Sequence, residues 1–355
     1  MNSSILVRVT LVNAAFATSK QLLLLENNMA QLIIASVFAN SISIYLIRKT
    51  RTLYVLGPKP NFESGRMKDK VVLITGANTG IGKETASQLL NLGATVIFAC
   101  RSERRAKDAM KDIQLGSNKE EVNSITGRMR FLELDLSDTK SIRTAAQTFN
   151  NMDLSLDVLI NNAGILMGDH KKNKDGYELM MACNHLGHFL LTNLLLPKLR
   201  ESKEPRVLTL SSSTYAMASH MDLQDLFCEN KRGYTLFGQY AQSKLANILF
   251  TKELAKRDPN ILCCAVHPGL VKTDVIKNLP WFLKLGYALF GFIISTFQKT
   301  APAGAYTSVY CAVANEVKSK NGLYYVNSAV QEVTKAAMDE KVRLFIYYYC
   351  HNETL

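Results

Sequence analysis

Two pairs in this chain place a phenol and an ammonium four positions apart: Tyr240 and Lys244 in Y-A-Q-S-K, and Tyr45 and Lys49 in Y-L-I-R-K. On a helix such residues share a face, one turn apart. Tyrosine ionises at a pKa of about 10 in water, too high for a useful base at neutral pH. A neighbouring cation favours the phenolate and brings that value down. Such a pair can give a proton to a carbonyl or take one from an alcohol, provided another group carries the hydride. Spacing alone does not separate the two pairs; their surroundings must.

Upstream of Tyr240, short apolar runs alternate with helical stretches. The runs are V-V-L-I-T (71–75), T-V-I-F-A (95–99), R-F-L-E-L (130–134), L-D-V-L-I-N (156–161) and R-V-L-T-L (206–210), and I-L-C-C-A-V (261–266) follows it. This alternation predicts an α/β fold: a doubly wound, mostly parallel Rossmann sheet of about seven strands with helices on both faces. The first run leads into T-G-A-N-T-G-I-G and a helix over about 83–92, with Gly76, Gly80 and Gly82 in the turn. A strand that ends in glycines and opens a helix offers backbone N–H groups to an anion, and glycine lets a pyrophosphate approach the backbone. At the end of the second run, an acid would accept the ribose hydroxyls of NAD. Here F-A-C-R-S-E-R-R puts Cys100 in that place and Arg101 after it. An arginine can clasp a 2′-phosphate in bidentate fashion, so the expected cofactor is NADP(H). Lys83 reads as added positive potential or as a solvated helix residue, and Arg104 and Arg105 read as surface charge.

The T-G-x-x-x-G-I-G turn resembles that of the short-chain dehydrogenase/reductase family, and further marks follow in order. They are Asp135 in L-D-L, N-N-A-G from Asn161 to Gly164, Asn184 in C-N-H-L-G-H-F, Ser211 and Ser212, Y-A-Q-S-K, and H-P-G-L-V-K-T with Pro268, Gly269 and Thr273. The resemblance spans about residues 67–330. It implies cofactor contacts from Gly76, Asn78, Thr79, Gly80, Ile81, Gly82, Arg101, Asp135, Asn162, Ala163, Gly164, Pro268, Gly269 and Thr273, with Asp135 at the adenine. It implies Tyr240 as general acid/base, Lys244 on the nicotinamide ribose, and Asn184 reaching Lys244 through water. A serine holds the substrate oxygen; Ser212 fits best, with Ser211 and Ser213 as competitors. Ser212 and Tyr240 lie 28 residues apart, longer than the commonest family spacing, and Tyr215 and Tyr234 within that insertion have no lysine four later. The longer arrangement, with N-H-L-G-H-F-L-L-T-N-L-L-L and Y-A-Q-S-K-L-A-N-I-L-F-T-K-E-L, resembles the retinol dehydrogenase branch. That branch implies hydride transfer between NADP(H) and a lipophilic, retinoid-like alcohol or carbonyl. The same chemistry on sterol, polyprenol or xenobiotic carbonyls stays open, as does a non-catalytic cofactor- or lipid-binding regulator.

The chain has 355 residues and a formal charge of +12. No long basic run occurs, so the excess fits an anionic membrane surface or a phosphorylated cofactor better than a nucleic acid. Residues 27–47 carry no charge and precede Arg48, Lys49 and Arg51. About 20 residues cross the ~30 Å of hydrocarbon, so this stretch predicts one membrane span with the bulk of the chain on the cytoplasmic side. Gln31, Asn40 and three serines weaken it, and an amphipathic surface helix is the alternative. Tyr45 and Lys49 then suit the interfacial belt and the basic flank. The resulting division is an extension over 1–28, an anchor and Pro/Gly linker over 29–66, and one catalytic domain over 67–355. The expected location is the endoplasmic reticulum membrane facing the cytosol, with the mitochondrion as alternative because no acid occurs before Glu26. An apolar stretch over 279–297 reads as a substrate lid, at about 275–300, that dips into lipid, or as helices buried against the domain or a homodimer partner. Seven cysteines without C-x-x-C indicate a reducing compartment, with Cys263 and Cys264 as core. His185 and His188 form an H-x-x-H without a carboxylate or cysteine set, so no metal is expected.

Overall fold

The computed structural model describes residues 55–116, 125–221, 223, 225, 234–271 and 298–354. The anchor at 27–47, the pair Tyr45 and Lys49, Thr273 and the stretch 279–297 lie outside the described residues. The chain divides into a unit Met1–Val55 and a compact unit Leu56–Leu355.

Near-continuous apolar runs become strands when both faces of a sheet are covered. β1 (Val71–Thr75) and β5 (Arg206–Leu210) are buried at every residue, as is the shorter β4 (Val158–Asn161). β2 (Thr95–Cys100) and β6 (Leu262–His267) each leave one terminal residue partly open, and β3 (Met129–Glu133) sits at the sheet edge with an uneven pattern. With β7 (Leu323–Val326) and β8 (Ala329–Val330) they form one sheet in the order β3-β2-β1-β4-β5-β6-β7-β8. All neighbours are parallel except β7 and β8. The eighth strand exceeds the expected seven. It is a two-residue hairpin return, set by Asn327 and Ser328 at φ 51° and 62°, the positive pair that a tight I′ turn needs.

The helices are α1 (Gly80–Asn91), α2 (Glu103–Leu115), α3 (Thr139–Asn150), α4 (Leu179–Arg200), α5 (Leu236–Arg257), α6 (Ala301–Val313) and α7 (Glu340–Thr354). They cover both faces of the sheet. Leu89, Leu90, Ile113 and Val309 fill one core, and Phe149, Phe189, Leu190, Leu249 and Tyr347 fill the other. Cys263 and Cys264 are fully buried in β6, one toward each core. Among the described residues, Leu179–Arg200 alone is long and apolar enough to cross a membrane, yet 78% of its most apolar stretch is buried in the domain. It serves here as a core helix. Its regular winding is interrupted over Ala182–Leu186, where the Gly187 N–H reaches back five residues to the Ala182 carbonyl. Such a π-bulge reorients the side chains it carries, and Asn184 is one of them.

Candidate active site

The strand order reverses between β1 and β4, which lie side by side. In an open α/β sheet, that reversal leaves a crevice at the carboxyl ends of the strands. A cleft of about 840 Å³ opens there. Gly76, Asn78, Thr79, Gly80, Ile81 and Gly82 line it, as do Arg101, Asp135, Asn162, Ala163 and Gly164 from the set expected from the sequence. Pro268 and Gly269 lie on the loop after β6 and do not reach these walls. Gly269 has φ +91° and lies against Lys299, where a Cβ would stand 2.5 Å from Lys299 Cε.

The glycine turn is tight for reasons of packing as well as ligand approach. A Cβ at Gly82 would stand 2.5 Å from both the Gly76 carbonyl oxygen and Asn162 Nδ2. Gly82→Ala is therefore expected to destabilise the fold by about 1–3 kcal/mol, the usual cost of forcing extra atoms into a packed site. A lowered urea midpoint with unchanged slope checks it.

Three residues in the cleft correct or extend the sequence reading. Arg105, read as surface charge, is exposed but lines the same cleft as Arg101, because the first turn of α2 opens onto it. Ser102 also lines the cleft, and its Oγ accepts the Arg105 N–H at 3.4 Å. Cys100 is buried, and burial pushes its thiol up to about 11 against the pull of the Asn78, Ala77 and Gly76 N–H groups. A neutral thiol thus stands where an acid would repel a phosphate. Lys83 pairs with Asp112 at 2.6 Å and is not a wall residue. These residues fit a phosphorylated dinucleotide: the glycine turn permits close approach, α1 has no acid in its first turn, and Arg101 and Arg105 both line the cleft.

Gly164 joins the cleft to α5: a Cβ there would lie 3.4 Å from Lys244 Nζ and 3.5 Å from Asn184 Oδ1. Tyr240 is half-buried, and the nearby Ser212 side chain acts to pull its hydroxyl pKa down. Ser211 is instead buried, donating to the Lys244 carbonyl at 2.8 Å, and Ser213 is exposed. Tyr215 and Tyr234 bond backbone groups: the Tyr215 hydroxyl accepts the Thr334 N–H, and the Tyr234 hydroxyl contacts the Met167 and Asp169 carbonyls. Lys244 Nζ donates to the Leu210 carbonyl at 3.1 Å and lies 5.5 Å from the Tyr240 ring centroid. Asn184 is pinned by its side chain: Oδ1 accepts the Ile165 N–H at 2.8 Å, and Nδ2 donates to the Ile165 carbonyl at 3.0 Å and to Ser243 Oγ at 3.1 Å. Asn184 and Lys244 therefore flank Gly164.

The electrostatics differ from the expectation that Lys244 lowers the phenol. Burial pushes Tyr240 up to about 12, although the Ser212 side chain pulls the other way. Burial also pushes Lys244 down to about 8. Desolvation disfavours the charged form of each. The arrangement keeps the phenol protonated at neutral pH. Sequence reasoning missed Ser243, Asn247 and Thr75. Asn247 Nδ2 donates to the Asn184 carbonyl at 3.1 Å and to the Leu210 carbonyl at 3.0 Å, so it ties α4, α5 and β5 together. Its position one turn beyond Lys244 and two beyond Tyr240, on the same α5, is the signal that would have found it.

Residues 70–223 match the family model described as short chain dehydrogenase. Retinol dehydrogenase 14 of Homo sapiens is 40% identical over 290 residues, covering 79% of this chain and 84% of that protein. Retinol dehydrogenase 12 of Bos taurus is 40% identical over 299 residues, covering 81% and 90%. A solved but uncharacterized protein from Mycobacterium Paratuberculosis shares 30% identity and superposes with a TM-score of 0.63, covering 85% of this chain and 98% of that one. The NADPH-bound carbonyl reductase from chicken fatty liver, at 24% identity and TM-score 0.56 over 75% of this chain and all of that one, shares the fold. Identity at this level over most of both chains, on a parallel sheet with its cleft at the reversal point, means that this chain belongs to the short-chain dehydrogenase family, on its retinol dehydrogenase branch.

Proposed function

We propose that this chain is an NADP(H)-dependent oxidoreductase that interconverts a lipophilic, retinoid-like alcohol and its aldehyde or ketone, with Tyr240 as general acid/base. The observation that carries the reading is the placing of Ser212 beside Tyr240, reached through Lys244 and Gly164 from a cleft that Arg101 and Arg105 line. Bound NADP(H) supplies or accepts the hydride. Arg101 and Arg105 hold its 2′-phosphate, the turn from Gly76 to Gly82 takes the pyrophosphate, and Asp135 lies by the adenine. Asn162, Ala163 and Gly164 border the nicotinamide end. Pro268, Gly269 and Thr273 complete that end in this reading.

Ser212 orients the substrate oxygen, and Tyr240 donates its proton to that oxygen as the carbonyl is reduced. Lys244 holds the nicotinamide ribose and keeps positive charge beside the phenol. Asn184 fixes the loop at Ile165 and reaches Lys244 through water. A phenol held near 12 stays protonated at neutral pH, the form that carbonyl reduction starts from. Ile165, Met167 and Leu179 add apolar wall, in keeping with a greasy substrate.

The test is NADPH against NADH oxidation with all-trans-retinal and a panel of medium-chain aldehydes, sterol ketones and polyprenals. The expected result is faster turnover with NADPH and the highest kcat/KM on the retinoid. Turnover of another class alone would transfer the same chemistry to that substrate, and cofactor binding without any turnover would leave a regulator. The division into an extension (1–28), an anchor and linker (29–66) and a catalytic domain (67–355) is part of this proposal, with the endoplasmic reticulum and a cytosolic active site as the location. A fluorescent fusion lacking residues 1–47 that leaves the membrane supports it; a mitochondrial pattern supports the alternative.

A further inference from the structure

The H-x-x-H of α4 holds two buried histidines, 1% exposed each, and the site described above uses neither. His185 Nδ1 meets Asn247 Oδ1 at 3.0 Å and its Nε2 meets Cys350 Sγ at 3.5 Å. His188 has more consequential partners. Its Nε2 lies 2.8 Å from Thr75 Oγ1 and its Nδ1 3.1 Å from the Asn184 carbonyl.

The proton positions follow from counting. The Thr75 hydroxyl accepts the Asn162 and Ala163 N–H groups, each at 2.9 Å. Two lone pairs are then filled, and the hydroxyl proton is left to donate. The Ile160 carbonyl at 3.5 Å is a long alternative, so His188 Nε2 at 2.8 Å takes it. His188 is then neutral with its proton on Nδ1, which donates to the Asn184 carbonyl. Full burial holds the ring neutral by pushing its pKa down to about 3. The Asn184 carbonyl, with the Asn247 donor, is also filled.

One continuous chain of hydrogen bonds thus runs from the backbone of Asn162 and Ala163, through Thr75 and His188, to the backbone of the π-bulge. We propose that His188 is a positioning residue: it locks the Asn162–Gly164 edge of the cofactor cleft to the bulge that carries Asn184, and so sets that edge against Lys244 and Tyr240. The proposal rests on the reading of Tyr240 and Lys244 as the chemical centre. It needs a group that accepts at one end and donates at the other, at a buried site where an unmade bond is costly. Neutral imidazole in one tautomer does both.

The experiment measures NADPH dissociation constants by fluorescence titration, kcat with retinal at saturating NADPH, and melting temperature. His188→Leu, which removes both bonds, is expected to weaken NADPH binding and to lower kcat by roughly ten- to a hundredfold, the scale of a misplaced reacting group. His188→Gln, whose amide oxygen can replace the Nε2 acceptor, recovers most of both losses. His188→Asn keeps only the Nδ1-side donor and does not. Thr75→Val resembles His188→Leu, and the double variant is no worse than either single one.

Should His188→Leu fail to fold, the Gln-against-Asn contrast in NADPH affinity decides. The proposal is overturned if His188→Leu stays within twofold of wild type, if Gln is as poor as Asn, or if the two losses multiply. Tyr240→Phe, run alongside, separates the two readings. If it retains full turnover the catalytic reading fails, while NADPH affinity still decides the role of His188.

Discussion

Tyr240→Phe lowers kcat for carbonyl reduction by roughly 10²–10⁴-fold, the usual contribution of a positioned general acid, and leaves NADPH affinity near wild type. Only one oxygen is lost. The ring keeps its half-buried place 5.5 Å from Lys244 Nζ, and Ser212 retains Thr214, whose Oγ1 lies 2.9 Å away. A loss confined to kcat would show that the interaction is made in the transition state and not in substrate binding. The pH profile adds a sign. Lys244 is charged below its value of about 8 and loses that charge as pH rises through it, whereas Tyr240 keeps its proton to about 12. Reduction is therefore flat through neutrality and falls above about pH 8, as the positive potential beside the developing phenolate fades. The residual activity of Tyr240→Phe, with no phenol to ionise, lacks that fall. An enzyme that reduces retinal at the wild-type rate without this hydroxyl would refute the mechanism.

Much of this site was legible because its marks are local. Gly76, Gly80 and Gly82 need a strand before them and a helix after, and Val71–Thr75 and Gly80–Asn91 supply both. Tyr240 and Lys244 needed only a helix. The choice among Ser211, Ser212 and Ser213 was not local. It turns on which side of the strand end each hydroxyl leaves, and the Ser211 bond to the Lys244 carbonyl uses that serine in packing. Positions in one contact but far apart in sequence were invisible: Thr75 and His188 are 113 residues apart, and Asn184 and Asn247 are 63 apart when donor and carbonyl meet. The π-bulge was hidden as well, because one i+5 bond barely disturbs an apolar periodicity that is buried all round. Burial also reversed an inference from residue type. A lysine near a tyrosine reads as a cation that lowers the phenol, but at this depth desolvation moves each group towards its neutral form. The second strand's end shows the converse. Arg101 was readable by rule, whereas Arg105 was not, since only the direction of α2 brings its first turn to the cleft.

Arg101→Asp is expected to cut kcat/KM with NADPH by roughly 10–100-fold, because a hydrogen bond to a charged group contributes about 1.5–3 kcal/mol, and to raise kcat/KM with NADH. Two features of the cleft make the swing large. Cys100 is buried and uncharged at the position where an acid would otherwise discriminate, so under the proposed NADP(H) reading the choice falls to the guanidiniums. Arg101 also stands at the end of β2, where an introduced carboxylate can accept the ribose hydroxyls as an acid there does in NAD sites. Arg105 separates this account from a general loss of positive potential. Arg105→Ala is expected to weaken NADPH and leave NADH untouched, since NADH has no phosphate at that end. A solvated charge would weaken both slightly, and the loss would vanish at high salt. Measuring kcat/KM for both nucleotides in Arg101→Asp, Arg105→Ala and the double variant settles the matter. If Arg101→Asp keeps the wild-type preference for NADPH, or if the wild-type protein already turns over NADH with the higher kcat/KM, the 2′-phosphate does not lie between these two arginines.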